Sequence, residues 1–534
     1  MNRKRKLKLK KFKLHPATTI LLLIVLTFIM SGILSIFEAQ TTYSQINTNT
    51  GTLEKVLVSV KSLFNAEGFK IFISNTTRNF AGFAPLTTLL VSLVGVGVAE
   101  ASGLLDTIIR KRLIKLDGSI LTFLVIFFGT ISSLINEIGY AIIIPLGALI
   151  FLYKGRSPIL GIVAAFCGVA FGYGTSIFVG SMDIALISHT QLAARLIDSG
   201  YHVALSSNLI IMVVSSIIMS IIGTIIIEKI IVHKVGTYKI TSELKKTQEI
   251  KIISNELAEE YEQSKISKEK RESRGLKNAF ITAIIVILIF IYMLIPNLPG
   301  SGLLLDTTAK SYVNQLFGAK SYFQDGFTFM VALLFLLTGL AYGIGAKTIK
   351  SDNDVMRGYK KYMNDIGEIV VLIFLSSQLI SLFNMTNIGI VITGWLTNII
   401  SDLNFSGIPL IILVMIVVAI SNLFLTTPEA KWIIISPVAV PLLFQSNVSP
   451  EFAQFIFRAA DSMTKGITVF LPSFIIFIGY LNMYNTEKKE PIGIMKAIKY
   501  ITPYFAIIAA SWLILIIFWY LTKLPIGPGV YPIV

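Results

Sequence analysis

A chain of 534 residues with 54% hydrophobic and only 14% charged side chains is too apolar for a soluble multidomain protein, in which roughly a quarter of residues are charged. The single cysteine, Cys167, excludes an intramolecular disulfide, and four scattered histidines offer no metal-ligand spacing, so no cofactor is expected. A net charge of +16 would point to nucleic acid in a soluble protein; in a membrane protein it points to basic cytoplasmic loops, and no nucleic-acid partner is expected.

The chain opens on a basic arm, MNRKRKLKLKKFKLHP, followed by an apolar stretch from Thr18 to Phe37. That stretch is long enough to cross a bilayer and lacks a small-residue cleavage site, so 17–37 reads as a retained first span. Further spans are expected over 81–104, 157–195, 203–227, 277–296, 328–346, 365–385, 455–482 and 497–521. Two other apolar stretches, 119–152 and 408–445, are interrupted by the polar runs SSLINE (Ser132 to Glu137) and SNLFLTTPE (Ser421 to Glu429). Charged, irregular backbone at membrane depth survives only inside protein or beside a water-filled cavity, so each stretch is predicted to dip in and return as a re-entrant hairpin. The fold class expected is an all-α polytopic membrane protein of nine spans and two hairpins.

Charge tests that topology. With the N-terminus inside, Lys and Arg divide 35 to 8 in favour of the cytoplasmic segments, and Lys431, Arg458 and Lys465 fall at membrane depth. The asymmetry holds only if both interrupted stretches return to their side of origin. The predicted organisation is then 1–80 (basic arm, first span, outer loop), 81–227 (first repeat), 228–276 (charged cytoplasmic loop), 277–364 (two linking spans), 365–521 (second repeat) and 522–534 (outer tail). The repeats enter from opposite sides and are therefore inverted, the usual plan of secondary transporters. Weak local similarity supports this: Glu137 and Tyr140 precede Pro145 with the spacing of Glu429, Trp432 and Pro437.

An ionisable side chain inside a span costs about 2.5–3.5 kcal/mol on insertion scales, so each needs a partner or a purpose. Glu100 ends an apolar run near the cytoplasmic boundary, where a capping role suffices. Glu137 and Glu429 sit at the hairpin turns, where short helix ends converge on ions or substrate. Asp183 follows Gly172, Gly174 and Gly180, which make a broken helix and an ion site such as one for sodium plausible, against the plainer reading of glycines for close packing. Arg458, Asp461 and Lys465 share a helical face and place one acid between two bases, an arrangement suited to an anionic ligand. The structural alternative is an Arg458–Asp461 pair with Lys465 reaching the surface.

The sequence resembles the p-aminobenzoyl-glutamate transporter (AbgT) family in FAGFAPL (80–86), LVGVGVAEASGLL (93–105), GYAIIIPL (139–146), AKW (430–432), R-x-x-D-S (458–462) and the terminal LPIGPG. The resemblance implies nine spans with two hairpins, a homodimer, and ion-driven movement of p-aminobenzoyl-glutamate or sulfonamide-like antimetabolites. It assigns function to Asp183, Asn422, Trp432, Pro450, Arg458 and Asp461. Four positions depart from the family pattern, which has aspartate at Glu137, asparagine near Ser176, serine at Glu429 and asparagine at Lys465. The expected site is therefore substrate-binding at Asn422, Glu429, Trp432, Pro450, Arg458, Asp461 and Lys465, and ion-coupling at Asp183, Glu137 and Ser176. Its partners are a small organic anion, a proton or sodium ion, and the lipid bilayer. A Glu429–Lys465 pair, one acid and one base gained together, is expected to replace a bound cation and lessen sodium dependence. Other small carboxylates are the alternative substrates. An ion channel is the rival of another class, and no nucleophile, metal cluster or nucleotide loop argues for an enzyme.

Overall fold

The computed structural model describes residues 14–48, 50–113, 115–132, 138–236, 255–318, 320–486 and 490–534. Among them seven helices are long and apolar enough to cross a membrane: Pro16–Ile36, Ala66–Ala101, Leu209–Val235, Ser267–Leu294, Tyr322–Ala346, Ile366–Met385 and Ile494–Thr522. Each coincides with an expected span, and the protein is an all-α polytopic membrane protein with one small β-ribbon. The other two expected spans are split. Residues 157–195 form Pro158–Phe171 and Ser181–Ala194, a break that the glycines forecast.

The expectation of one helix over 455–482 is corrected: Pro450–Thr464 ends in a short turn, Lys465–Ile467, and the helix resumes only at Phe474–Met483. Two side chains divert the backbone here. Thr464 Oγ1 donates to the Ala419 carbonyl and Thr468 Oγ1 to the Leu423 carbonyl, each at 2.7 Å. Gly466 lies so close to the Phe171 ring that a Cβ there would meet it at 2.6 Å.

Both interrupted stretches are pairs of short helices, Gly118–Ile131 with Ile138–Tyr153 and Gly407–Ser421 with Pro428–Gln445. At about 1.5 Å per residue none exceeds about 27 Å, short of a hydrocarbon core of about 30 Å. Pro158, Pro428 and Pro450 each stand in a first turn, where the missing N–H has no helical partner to lose. The succession of short pair, split helix and long helix thus occurs twice, over 118–226 and over 407–522.

Burial sorts these elements. All of Pro450–Thr464 and nearly all of Pro158–Phe171 are buried, whereas only 11% of the most apolar stretch of the Ser267–Leu294 helix is buried, leaving isoleucines such as Ile285 and Ile289 to face lipid. The two halves interlock through aromatic rings: Phe166 stacks on Phe477 at 4.1 Å, and Phe171 meets Tyr504 at 5.4 Å. At the foot of the first helix pair, Arg156 Nη2 donates to both oxygens of Glu228, each at 2.9 Å, while Nη1 holds the Gly118 carbonyl.

Two elements were absent from the sequence reading. Gln40–Ile46 and Leu53–Ser59 pair antiparallel with Gln40 opposite Ser59. This ribbon docks on a 15-residue helix, Ile388–Asp402, through Trp395 Nε1 to the Gln40 carbonyl and Asn398 Nδ2 to the Thr42 carbonyl. The charged insert is helical from Asn255 onward; residues 237–254 lie outside the described residues.

Candidate functional site

The two helix breaks and the 422–427 turn converge on a cluster of buried charges. Asp183, three residues into Ser181–Ala194, accepts the Gly180 N–H through Oδ2 at 2.9 Å and pairs with Arg458 Nη1 through Oδ1. Arg458 Nε donates to the Gly174 carbonyl at 3.0 Å, so the first break supplies both partners of a guanidinium carried by the second split helix. Gly174 permits this approach, since a Cβ there would lie 2.5 Å from the Arg458 carbonyl oxygen.

A second pair lies beside the first. Lys431 Nζ donates to Asp461 Oδ1 and to Asn422 Oδ1, and Asn422 Nδ2 donates to the Asp461 carbonyl at 2.7 Å and to Thr464 Oγ1 at 3.3 Å. Asp461 Oδ2 is buried without a hydrogen-bond partner among the described residues. Lys465, in the second break, lies over the Tyr173 ring at 3.1 Å from its centroid, a cation–π contact. Asp183, Lys431, Arg458, Asp461 and Lys465 are each at most 2% exposed, so three cations face two carboxylates among the described residues.

Trp432 is wholly buried. Its Nε1 donates to Thr190 Oγ1 at 2.9 Å, Thr190 bonds Gln454 at 2.7 Å, and the indole packs on Phe457 at 4.6 Å. Ser176 lies buried in the first break, where its Oγ accepts the Phe178 N–H at 3.2 Å. Pro450 opens the helix that carries Arg458, behind the Ser449 cap.

Two cavities lie away from these charges. One of about 480 Å³ runs between the first helix pair and Tyr322–Ala346, lined by Leu121, Val125, Phe128, Phe327, Val331 and Phe335. Among the described residues no charged side chain lines it. The other, about 440 Å³, is lined by Glu100, Asp106, Tyr153, Asp354 and Arg357. The Lys350 and Ser351 backbone N–H groups, with Arg357, hold the Asp354 carboxyl below the usual range.

The AbgT putative transporter family matches residues 11–534. The p-aminobenzoyl-glutamate transport protein of Escherichia coli K12 is 30% identical over 518 residues, 97% of this chain and 94% of that one. The chain belongs to the AbgT family. Two solved structures are also similar. The Alcanivorax borkumensis YdaH transporter is 26% identical with a TM-score of 0.46, covering 96% of this chain and 100% of that one. Neisseria gonorrhoeae MtrF, described with a class of antimetabolite efflux pumps, is 30% identical with a TM-score of 0.48, covering 97% and 98%.

Within this AbgT chain the expected residues separate into three groups. Asp183, Asn422, Arg458, Asp461 and Lys465 meet at the breaks, with Ser176 in the same segment and Trp432 behind it. Glu137 lies outside the described residues. Glu429 does not join the cluster: its side chain is 55% exposed and stands 3.8 Å from His189 Nε2.

One structural alternative and one expectation from the sequence are corrected. Arg458 and Asp461 share a helix face but bond to different partners, because an opposite charge on another element, Asp183 for Arg458 and Lys431 for Asp461, lies within bonding distance of each. Glu429 and Lys465 do not pair, since the early end of Pro450–Thr464 turns Lys465 beneath Tyr173. The double variant Glu429→Lys with Lys465→Glu is accordingly expected to transport no better than Lys465→Glu alone; recovery above the single variant in vesicle flux would contradict this geometry. Lys431 is the buried charge of this cluster to which no role was assigned from the sequence. Its signal was present, a base at membrane depth two residues after the Glu429 carboxylate, but no local spacing links it to Asp461, 30 residues on.

Proposed function

We propose that this AbgT-family transporter is an ion-coupled secondary active carrier of a small organic anion, with aromatic carboxylates related to p-aminobenzoyl-glutamate, and sulfonamide-like antimetabolites, as the substrate class. One observation carries this reading. The buried cluster of Asp183, Lys431, Arg458, Asp461 and Lys465 holds one more positive than negative charge among the described residues. An uncompensated cation in low dielectric is costly, and an entering carboxylate offsets that cost. Arg458 offers the planar donor fork that suits a carboxylate. Trp432, once freed from Phe457, offers a face for an aromatic ring. Asp183 and Ser176 form the ion-coupling side of the site; Glu137, expected with them, lies outside the described residues.

The cluster is closed to solvent, so transport requires the two short helix pairs, acting as re-entrant hairpins of an inverted repeat, to expose it to each side in turn. The carrier is a homodimer in the cytoplasmic (inner) membrane with its N-terminus inside. Single cysteines in a Cys167→Ser background test that orientation. Gln445→Cys is expected to react with an impermeant maleimide in intact cells and Lys268→Cys only after permeabilisation; the reverse pattern inverts the map.

The function itself is tested by flux into proteoliposomes under separate proton and sodium gradients. Saturable uptake of p-aminobenzoyl-glutamate, competed by sulfonamides and lost when the carboxylates are amidated, is the expected result. Flux that never saturates and follows no gradient would identify a channel instead.

A further inference from the structure

We propose that the Lys431 ammonium is a resident cation, filling an oxygen cage built by Asn422 and Asp461, so that this chain completes its site without binding sodium there. The cage is made from two helix ends. Asn422 caps the C-terminus of Gly407–Ser421, and Asp461 and Thr464 lie in the last turn of Pro450–Thr464. Helix C-termini present carbonyl dipoles that favour a positive charge. Asn422 is oriented by its own amide, whose Nδ2 is spent on the Asp461 carbonyl and on Thr464 Oγ1, leaving Oδ1 to face inward. Asp461 supplies Oδ1, and Lys431 Nζ donates to both inward oxygens from a side chain that is 0% exposed.

The cage also has acceptor capacity to spare. Asp461 Oδ2 is buried and unpartnered among the described residues, although an ammonium has three protons to donate. Two side-chain oxygens, Asn422 Oδ1 and Asp461 Oδ1, hold the ammonium in the place a small monovalent cation would take, and the unpartnered Asp461 Oδ2 offers a third ligand to such a cation. The tether has a consequence that a free ion lacks: the charge cannot leave with the substrate. A sodium gradient therefore does no work at this position. This deepens the carrier reading above and rests on it for the statement about transport. The cage itself stands on the geometry alone.

The experiment separates the two. In purified full-length protein, the melting temperature of the wild type is expected to be the same in sodium chloride and in choline chloride of equal ionic strength. Lys431→Ala, which empties the cage, is expected to gain a saturable, sodium-specific rise in Tm that Lys431→Ala with Asp461→Asn lacks. Lys431→Ser, which leaves a hydroxyl as an extra ligand, replaces the alanine variant if that variant does not purify. In proteoliposomes, wild-type flux is expected to persist when choline replaces sodium. A wild type whose stability or flux requires sodium overturns the proposal. So does an emptied cage with no sodium-specific stabilisation. Because the melting measurement needs no transport, loss of the carrier reading leaves it intact.

Discussion

Arg458→Ala is expected to abolish saturable transport and to destabilise the fold. Its guanidinium bonds Asp183 and the Gly174 carbonyl from a position that is 2% exposed. Removing it leaves a buried carboxylate uncompensated, a loss of about 3–5 kcal/mol by analogy with other broken buried pairs. Stability and function are separable here. Arg458→Ala with Asp183→Ala removes both charges and is expected to recover most of the lost melting temperature while transporting nothing. Arg458→Lys keeps the charge without the fork. It should weaken substrate about 10- to 100-fold, the equivalent of one hydrogen bond to a charged group worth roughly 1.5–3 kcal/mol. Saturable flux of normal affinity in the double alanine variant would remove Arg458 from the site.

The second large effect is steric. Gly174→Val places a Cβ 2.5 Å from the Arg458 carbonyl oxygen, so the first break must move away from the helix that carries the guanidinium. Forcing extra carbons into a packed interior costs about 1–3 kcal/mol where side chains can yield, and more against backbone. Here the Gly174 carbonyl also loses its bond from Arg458 Nε, so binding is expected to fall with stability. Gly200→Val is the comparison. It lies at an exposed turn where a Cβ meets only an Asp198 oxygen at 3.5 Å, and it should leave both melting temperature and flux near those of the wild type. Equal behaviour of the two variants in a paired melting and flux assay would show that the close approach at Gly174 is not required.

These effects explain what was legible in the sequence and what was not. Long apolar runs are a property of each segment alone, so seven spans and both interrupted stretches stand where hydropathy put them. The break after Phe171 was legible because the glycines that cause it are local. The break after Thr464 was not: its causes are Ala419, Leu423 and Phe171, which only the fold brings near.

The same distinction governs the charges. Asp183, Arg458 and Asp461 were identified as buried and purposeful from the cost of placing them in a membrane. Helical spacing places only Arg458, Asp461 and Lys465 near one another, whereas the bonds formed join residues 275 and 30 positions apart. Lys431 was missed for that reason. The ribbon at 40–59 was missed because its polar strands were read only as an outer loop, and Ile388–Asp402 because it is too short to register as a span.

The most direct test of the central claim is a structure of the protein with p-aminobenzoyl-glutamate bound. A carboxylate of the ligand between Arg458 and Lys465, with the ring against Trp432, is the predicted result. A ligand seated instead in the apolar cavity between Phe128 and Phe335, with the Arg458–Asp183 and Lys431–Asp461 pairs undisturbed, would contradict it.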